Sequence, residues 1–276
     1  MISQGEALFR SGNRYRHKEH DSLVFTKGAY YWNSISESGN AIDFLQRHRG
    51  MDFMSAVFAL TQTVVPDRGD VSFFPTTRDQ FSFSDIKFDL DMRRTIAYLN
   101  QTRVIDYKLI KSLIDTKMIY QEVTTNNIVN IIFPIYDEKN DVVGAEICGT
   151  CSDKRFKGIK SGSKYGYGYS IKGKVKLEYV LFFESAVDLL SFIELEQRKN
   201  VSIDNTLLVS MAGLKDTTVK QTLKNFGEGL QPVLCVDNDH AGLKFIKTIK
   251  QQMKGIKVFR PEPEYKDWND QLKSLK

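Results

Sequence analysis

Short apolar runs alternate with segments of helical periodicity from residue 178 onward. The first run, Tyr179–Phe183, is apolar throughout, which is typical of a strand buried on both faces. Strands separated by helices form parallel sheets through crossover connections, so an α/β domain with a mainly parallel four-stranded sheet and flanking helices is predicted here. The other predicted strands are Thr206–Ser210, Pro232–Val236 and Ile256–Phe259, and the predicted helices are Ala186–Gln197, Thr217–Phe226 and Ala241–Met253.

Carboxylates follow three of the four predicted strands. Glu184 ends the first strand, Asp237 and Asp239 end the third, and Asp267 follows the last. Ligands of open parallel sheets bind beyond the carboxyl ends of the strands, and clustered acids repel one another unless a cation neutralises them. Because oxygen ligands suit Mg²⁺ or Mn²⁺ better than zinc, the pattern predicts a magnesium or manganese site. For Asp239, a helix N-cap role is the alternative.

The spacing of these acids is also that of a known superfamily. Glu184 at a strand end, followed after a helix, a strand and a helix by Asp237-Asn-Asp239, resembles the Toprim domain. Bacterial primases, type IA and type II topoisomerases and several nucleases share this domain. The resemblance implies a Rossmann-like Toprim fold over residues 177–276, with Glu184, Asp237 and Asp239 as the catalytic and principal metal-binding carboxylates.

Within that superfamily, the stretch Glu184-Ser-Ala-Val-Asp188 is similar to the primase form. Asp267 takes the place of a further acid in the primase pattern, whereas Asn269 stands where another carboxylate is usual. The resemblance implies Asp188 and Asp267 as additional metal ligands.

The first 62 residues resemble the zinc-binding domain of bacterial primases, chiefly over Tyr30–Leu45. Trp32 and Ile35 stand at the probable ligand positions, and these residues include no cysteine. A small zinc-ribbon-like module without zinc is therefore expected. His17 and His20 are expected to be exposed or packed rather than metal ligands.

Residues 92–176 are similar to the N-terminal half of the primase polymerase core, an α+β module. Two β-rich runs, Ile128–Tyr136 and Val142–Cys148, predict a hairpin in it. Residues 63–91, punctuated by Pro and Gly, are predicted to be a linker. The three modules in this order resemble primase-like proteins carried by plasmids and conjugative elements.

Positive charge is concentrated in the segment Lys154–Lys176, which holds eight basic residues and no acidic one within a chain of net charge +5. This imbalance suggests a polyanionic partner. Lys157, Lys160 and Lys164 are candidates for contact with nucleic-acid or nucleotide phosphates. The alternative is a solvated loop that binds nothing.

Composition excludes several classes of protein. The apolar stretch Phe53–Pro66 is shorter than the roughly 20 residues that span a bilayer, and no secretory signal is visible, so no membrane partner is expected. Three cysteines cannot form a disulfide framework for 276 residues. A cytoplasmic location is expected.

The resemblance implies a primase-like nucleotidyltransferase that makes primers on single-stranded DNA from nucleoside triphosphates, in replication or transfer of a mobile element. Other replication or conjugation proteins are further expected partners. A Toprim-type metal-dependent nuclease is one alternative, since the same acids serve such enzymes. A catalytically inactive nucleic-acid-binding accessory protein is another, because the zinc cysteines are absent and the arginine expected near Gly149-Thr150 is replaced.

Overall fold

The computed structural model describes residues 7–11, 14–20, 22–26, 28–32, 37–61, 81–124, 127–151, 156–226, 229–262 and 264–276. The chain divides into two compact units, residues 1–74 and 75–276. Ile35, Lys154, Arg155 and most of the predicted linker lie outside the described residues. In the part of the chain that is described, no helix is long and apolar enough to cross a membrane.

The N-terminal unit is an antiparallel sheet followed by two helices. Its strands pair in chain order: β1 (Leu8–Ser11), β2 (Arg14–His17), β3 (Leu23–Thr26), β4 (Ala29–Trp32) and β5 (Glu37–Gly39). Its helices are α1 (Ala41–Arg49) and α2 (Phe53–Thr61).

A reciprocal hydrogen-bonding pattern starts α1. The Asn40 side chain accepts from the backbone of Asp43, and the Asp43 carboxylate accepts from the backbone N–H of Asn40. Phe44 and Leu45 of this helix pack on Phe25 and Tyr30 of the sheet. The unit therefore has a small apolar core of its own.

Histidines and an indole lie beside this core. The rings of His17 and His20 stack at 5.1 Å, and Trp32 lies 5.2 Å from His20 and 4.9 Å from His48. His17 is buried. Trp32 thus packs between two imidazoles at a position where the resemblance expected a zinc ligand.

A second antiparallel sheet opens the larger unit, in the order β10-β9-β8-β7-β6. The long strands β8 and β9 form the predicted hairpin. Part of the predicted linker contributes to the sheet, because β6 pairs with β7 and Gln121 donates a hydrogen bond to the Asp89 carboxylate. The strands are β6 (Phe88–Asp89), β7 (Tyr120–Val123), β8 (Val129–Tyr136), β9 (Val142–Gly149) and β10 (Lys157–Ile159), and the helices are α3 (Arg93–Ala97) and α4 (Tyr107–Asp115).

The third sheet has the order β11-β13-β12-β14-β15, in which the last four strands are parallel and β11 is antiparallel. This confirms the predicted α/β class and the four parallel strands. The strands are β11 (Ser170–Lys172), β12 (Tyr179–Phe183), β13 (Thr206–Ser210), β14 (Gln231–Cys235) and β15 (Lys257–Val258). The helices are α5 (Ala186–Arg198), α6 (Asp216–Phe226), α7 (His240–Gln252) and α8 (Trp268–Lys273).

Two apolar clusters cover the two faces of the parallel sheet. Val219 of α6 and Phe245 of α7 belong to the cluster on one face. The cluster on the other face joins Leu190 of α5 and Trp268 of α8 to Phe133 of β8 in the antiparallel sheet. The second and third sheets therefore share a core, and α5 is buried from residue 186 to residue 196.

Candidate metal and active site

Two acidic residues meet at the carboxyl ends of adjacent parallel strands. β12 pairs with β14, and Phe183 lies opposite Cys235 in the register. Glu184 follows Phe183 directly, and Asp237 follows two residues after Cys235. Asp237 is only 7% exposed and Glu184 is partly buried. The two acids that the sequence places at strand ends, Glu184 and Asp237, are therefore both largely shielded from water in the structure.

Each of these carboxylates has one oxygen without a partner among the described residues: Glu184 Oε2 and Asp237 Oδ1 are buried and accept no hydrogen bond. Burial raises the pKa of Glu184, and the charges of Asp239 and Asp188 raise it further. Burial, then Asp188 and Glu184, raise the pKa of Asp237 from 3.8 to about 8. Unpartnered buried carboxylates are costly, and a bound cation would remove that cost.

Asp188 lies one turn into α5 and already has partners. The Ser185 hydroxyl, which caps α5, donates to Asp188 Oδ2, and Lys157 Nζ lies 3.9 Å from the same oxygen. Lys157 also donates to Ser185 Oγ at 3.1 Å. Burial raises the pKa of Asp188, whereas the charge of Lys157 lowers it. Lys157 thus brings one positive charge to the acids.

Asp239 and Asp267 are both helix N-caps. Asp239 Oδ1 accepts from the backbone N–H of Gly242 at 3.0 Å, and Asp267 Oδ1 accepts from that of Asp270 at 2.7 Å. Asp239 therefore has the alternative role given above, that of a helix N-cap, through one of its two carboxylate oxygens. Its other oxygen, Oδ2, lies 3.9 Å from Lys266 Nζ.

Gly242 permits the close start of α7. A Cβ at this position would lie 2.3 Å from the carbonyl oxygen of Asp237, a distance that no side chain tolerates. The glycine therefore lets the helix begin directly against the backbone of an acidic residue of the site.

Asn269, which replaces a usual carboxylate, is committed to the protein interior. Its amide nitrogen donates to the carbonyl oxygen of Arg103 at 2.8 Å and to Ser191 Oγ at 2.9 Å. Its amide oxygen accepts from Arg103 Nη1 at 3.1 Å. The side chain links α8 to α5 and to Arg103, which follows the helical segment Tyr98–Thr102, so its amide is engaged by the protein itself.

The three predicted phosphate lysines separate in space. Lys157 lies at the acids, as described above. Lys160 Nζ pairs with the buried carboxylate of Glu122 at 2.5 Å. Lys164 Nζ lies 3.4 Å from Asp137 Oδ2 and 4.5 Å from the centre of the Tyr167 ring. Phosphate contact by these lysines remains a prediction.

Glu146 on β9 was not anticipated. It is fully enclosed, and burial raises its pKa to about 7. It accepts hydrogen bonds from the backbone N–H of Ala186 at 2.8 Å and from Ser210 Oγ at 2.6 Å. Together with Lys157 and Glu184 it lines a cavity of about 210 Å³. The sequence signal that could have identified Glu146 was a single acid within an otherwise apolar strand.

The donor chemistry fits a hard divalent cation, since carboxylate oxygens predominate and two of them lack partners. Among the described residues, however, no three Asp, Glu, His or Cys side chains are arranged to hold one ion. Side-chain rotation would therefore accompany binding of an ion at these acids.

Comparison with known proteins finds two family models that match successive parts of the larger unit. Residues 97–174 match a family model described as a protein of unknown function (DUF3991), and residues 181–272 match a Toprim-like model. The chain is 30% identical over 292 residues to the uncharacterized protein pXO2-78 of Bacillus anthracis, with 95% of this chain and 81% of that protein covered. The chain belongs to the family of that plasmid protein.

A second similar protein is longer than this chain. The 65 kDa protein of Zymomonas mobilis is 25% identical over 277 residues, which cover 94% of this chain and 46% of that protein. The chain therefore spans less than half the length of this relative.

Solved structures of similar fold include the primase fragment of the bacteriophage T7 primase-helicase protein, with 15% identity, a TM-score of 0.49 and coverage of 91% of this chain and 88% of that one. The Aquifex aeolicus primase fragment, with its zinc-binding and RNA polymerase domains, has 17% identity and a TM-score of 0.41, covering 99% and 79%. At such identities the likeness concerns the fold alone. The sequence-based recognition of a Toprim-domain, primase-like protein of the plasmid type is confirmed.

Proposed function

We propose that this Toprim protein is a primase-like nucleotidyltransferase that joins nucleotides on a single-stranded DNA template with the help of Mg²⁺ or Mn²⁺. The observation that supports this most directly is the pair of unpartnered buried oxygens, Glu184 Oε2 and Asp237 Oδ1, at adjacent strand ends. Such a pair is stabilised when a cation binds between the carboxylates.

In this proposal Glu184 and Asp237 are the principal metal carboxylates. The Oδ2 atom of Asp239 takes no part in capping the helix, so Asp239 serves as the third catalytic carboxylate and metal ligand. Asp188 and Asp267 orient the site or bind through water. A Mg²⁺ or Mn²⁺ ion held there supplies charge neutralisation for the triphosphate and activation of the attacking 3′-hydroxyl.

Lys157 has a distinct role in the proposal. Its side chain is 52% exposed although its ammonium group lies near Ser185 and Asp188. An exposed lysine of this kind can turn from Asp188 toward a phosphate of the incoming nucleotide. Its charge also offsets part of the repulsion among the acids until a nucleotide binds.

The partners of this activity are nucleoside triphosphates and single-stranded DNA. Membership in a plasmid protein family supports a role in replication or transfer of a mobile element in the cytoplasm, with other replication or conjugation proteins as further partners. The larger size of the Zymomonas relative is compatible with additional activities in a longer protein.

The test is primer synthesis from labelled nucleoside triphosphates on single-stranded DNA with Mg²⁺ or Mn²⁺. Glu184→Gln and Asp237→Asn keep side-chain size but remove charge, and Asp216→Asn removes an exposed acid of α6 as the control. We expect metal-dependent oligomers that disappear in the first two variants and persist in the control.

Two outcomes would overturn the proposal. Metal-dependent cutting of the template without synthesis, abolished by the same two variants, would establish the nuclease alternative. Template binding without synthesis or cleavage would establish the accessory-protein alternative.

A further inference from the structure

Helix α7 carries an unusual row of positive charge. Three lysines lie in the helix and a fourth lies two residues after its last residue, and no acid lies among them after the N-cap Asp239. All four are exposed. We call this set the α7 basic face, and it consists of Lys244, Lys247, Lys250 and Lys254.

The opposite side of α7 faces the core. Gly242, Phe245 and Ile249 are buried, and Phe245 and Ile249 pack in the apolar cluster beneath the parallel sheet. Because residues three or four apart share a helix face, Lys244, Lys247 and Lys250 form a row on the solvent side, and Lys254 follows just beyond the end of the helix. Apart from Leu243, which is half-exposed, the large apolar side chains of α7 face the core, so the solvent side of the helix is mainly polar.

On other helices of the same unit, several basic side chains have an acidic partner on the same helix. α4 pairs Lys111 with Asp115, α6 pairs Lys220 with Asp216, and α5 pairs an arginine with a glutamate one turn away. None of the four lysines of the α7 basic face has an ion pair or a side-chain hydrogen bond with a described residue, and the helix carries no acid after its N-cap.

The row of lysines destabilises the helix. Like charges three or four residues apart on a helix repel, as Lys244 and Lys247 do, and Lys247 and Lys250 do. The helix dipole favours lysines at the C-terminal end but offers nothing to Lys244 in the second turn. A row of like charges without acidic partners on an exposed face points to a polyanionic partner.

The position of the row identifies the partner. α7 begins at Asp239, one of the carboxylates of the proposed site, so the lysines lead away from that site. Lys244 and Lys250 are six residues apart on the helix, about 9 Å along its axis, which matches about three phosphates of one strand of a duplex. Lys266, near Asp239, extends the positive charge to the site itself.

We propose that the α7 basic face binds the phosphate backbone of the nucleic-acid strand that enters or leaves the Toprim carboxylates. The choice of nucleic acid as the polyanion rests on the proposed function. The contact itself requires no catalysis and no metal ion. The predicted phosphate lysines Lys160 and Lys164 are paired with acids, whereas the lysines of this face are available to a ligand.

The test measures how nucleic-acid affinity depends on salt. Binding of a fluorescent DNA of about 30 nucleotides, single-stranded or duplex, is followed by anisotropy in EDTA between about 50 and 300 mM KCl. The variant is K244Q/K247Q/K254Q. The matched control is K111Q/K199Q/K220Q, which removes three lysines that are ion-paired on other helices.

Each phosphate contact contributes about 0.7 to the slope of log K against log salt on single strands. We expect the slope of the variant to fall by about 2 relative to the wild type, with the control unchanged. Equal effects in variant and control, no effect in either, or no binding by the wild type would each overturn the proposal.

A further variant separates this proposal from the proposed function. Asp237→Asn should abolish synthesis yet keep the wild-type salt slope, because the α7 basic face is intact. If the wild type makes no primers but the slope still depends on the three lysines, the surface stands and the nucleotidyltransferase proposal falls.

Discussion

The carboxylate of Glu146 on β9 accepts a hydrogen bond of 2.8 Å from the backbone N–H of Ala186 at the start of α5. Its second oxygen accepts from Ser210 at the end of β13. One side chain of the antiparallel sheet therefore holds two carboxyl-end segments of the parallel sheet, and one of these segments begins two residues after Glu184. The geometry of the candidate site depends on a residue outside the Toprim-like match.

Replacing Glu146 should reveal this role. Glu146→Ala leaves the Ala186 N–H and the O–H donor of Ser210 buried without an acceptor, so we expect the free energy of unfolding to fall by about 2 kcal/mol or more. Glu146→Gln keeps an acceptor for Ala186 and can donate to Ser210, so its loss should be smaller. Urea unfolding measures both. Equal losses in the two variants would contradict the hydrogen-bonding role.

Stability should depend on pH through Asp237. Its pKa, raised by burial to about 8, means that the folded protein keeps a proton that the unfolded chain releases near its ordinary pKa of 3.8. The contribution of Asp237 to the free energy of unfolding is fully present below about pH 4 and is lost as the pH rises through about 8. In EDTA, the thermal midpoint should therefore fall more steeply from about pH 5 to pH 8 in the wild type than in Asp237→Asn.

The control for this measurement is Asp216→Asn, whose acid is exposed and paired with Lys220 on α6. Its pH dependence should follow that of the wild type. A wild-type curve parallel to that of Asp237→Asn would show that Asp237 is ionised at ordinary pH even without a cation.

Divalent cations should stabilise the protein at about pH 8, where the acids are most nearly ionised. A cation at 100 times its Kd adds about 2.7 kcal/mol to the free energy of unfolding. We expect Mg²⁺ or Mn²⁺ to raise the thermal midpoint of the wild type and of Asp216→Asn, and to leave Glu184→Gln and Asp237→Asn nearly unchanged. An equal rise in all four proteins would place the bound cation elsewhere.

Restoring a carboxylate at Asn269 should not build a better metal site. Asn269→Asp removes the amide hydrogens that reach the Arg103 carbonyl and Ser191, so buried acceptors lose their donors. We expect the free energy of unfolding to fall by about 1 to 3 kcal/mol. Titration with Mn²⁺ should show no gain in affinity. Tighter binding of Mn²⁺ by this variant would show that the side chain can turn toward the acids.

Local sequence determined the parallel sheet and the acids at its edge. Strands such as Tyr179–Phe183 and Thr206–Ser210 have the predicted bounds, because an apolar run between helices has few other ways to be buried. The hairpin β8–β9 followed for a similar reason, since two apolar runs joined by a polar turn pair with each other. Short elements such as α8, with six residues, carry too little periodicity to be read.

Only the tertiary structure decided which polar groups meet. Glu146 reaches Ala186 across 40 residues, and Arg103 reaches Asn269 across 166. Lys160 and Lys157, three residues apart in an apparently uniform basic segment, go to Glu122 and to the site acids respectively. Residue type and spacing specify hydrogen-bonding capacity and the local backbone. The partner of each group is chosen when the two sheets pack on their shared core, because burial then requires every polar atom to find whatever donor or acceptor lies opposite it.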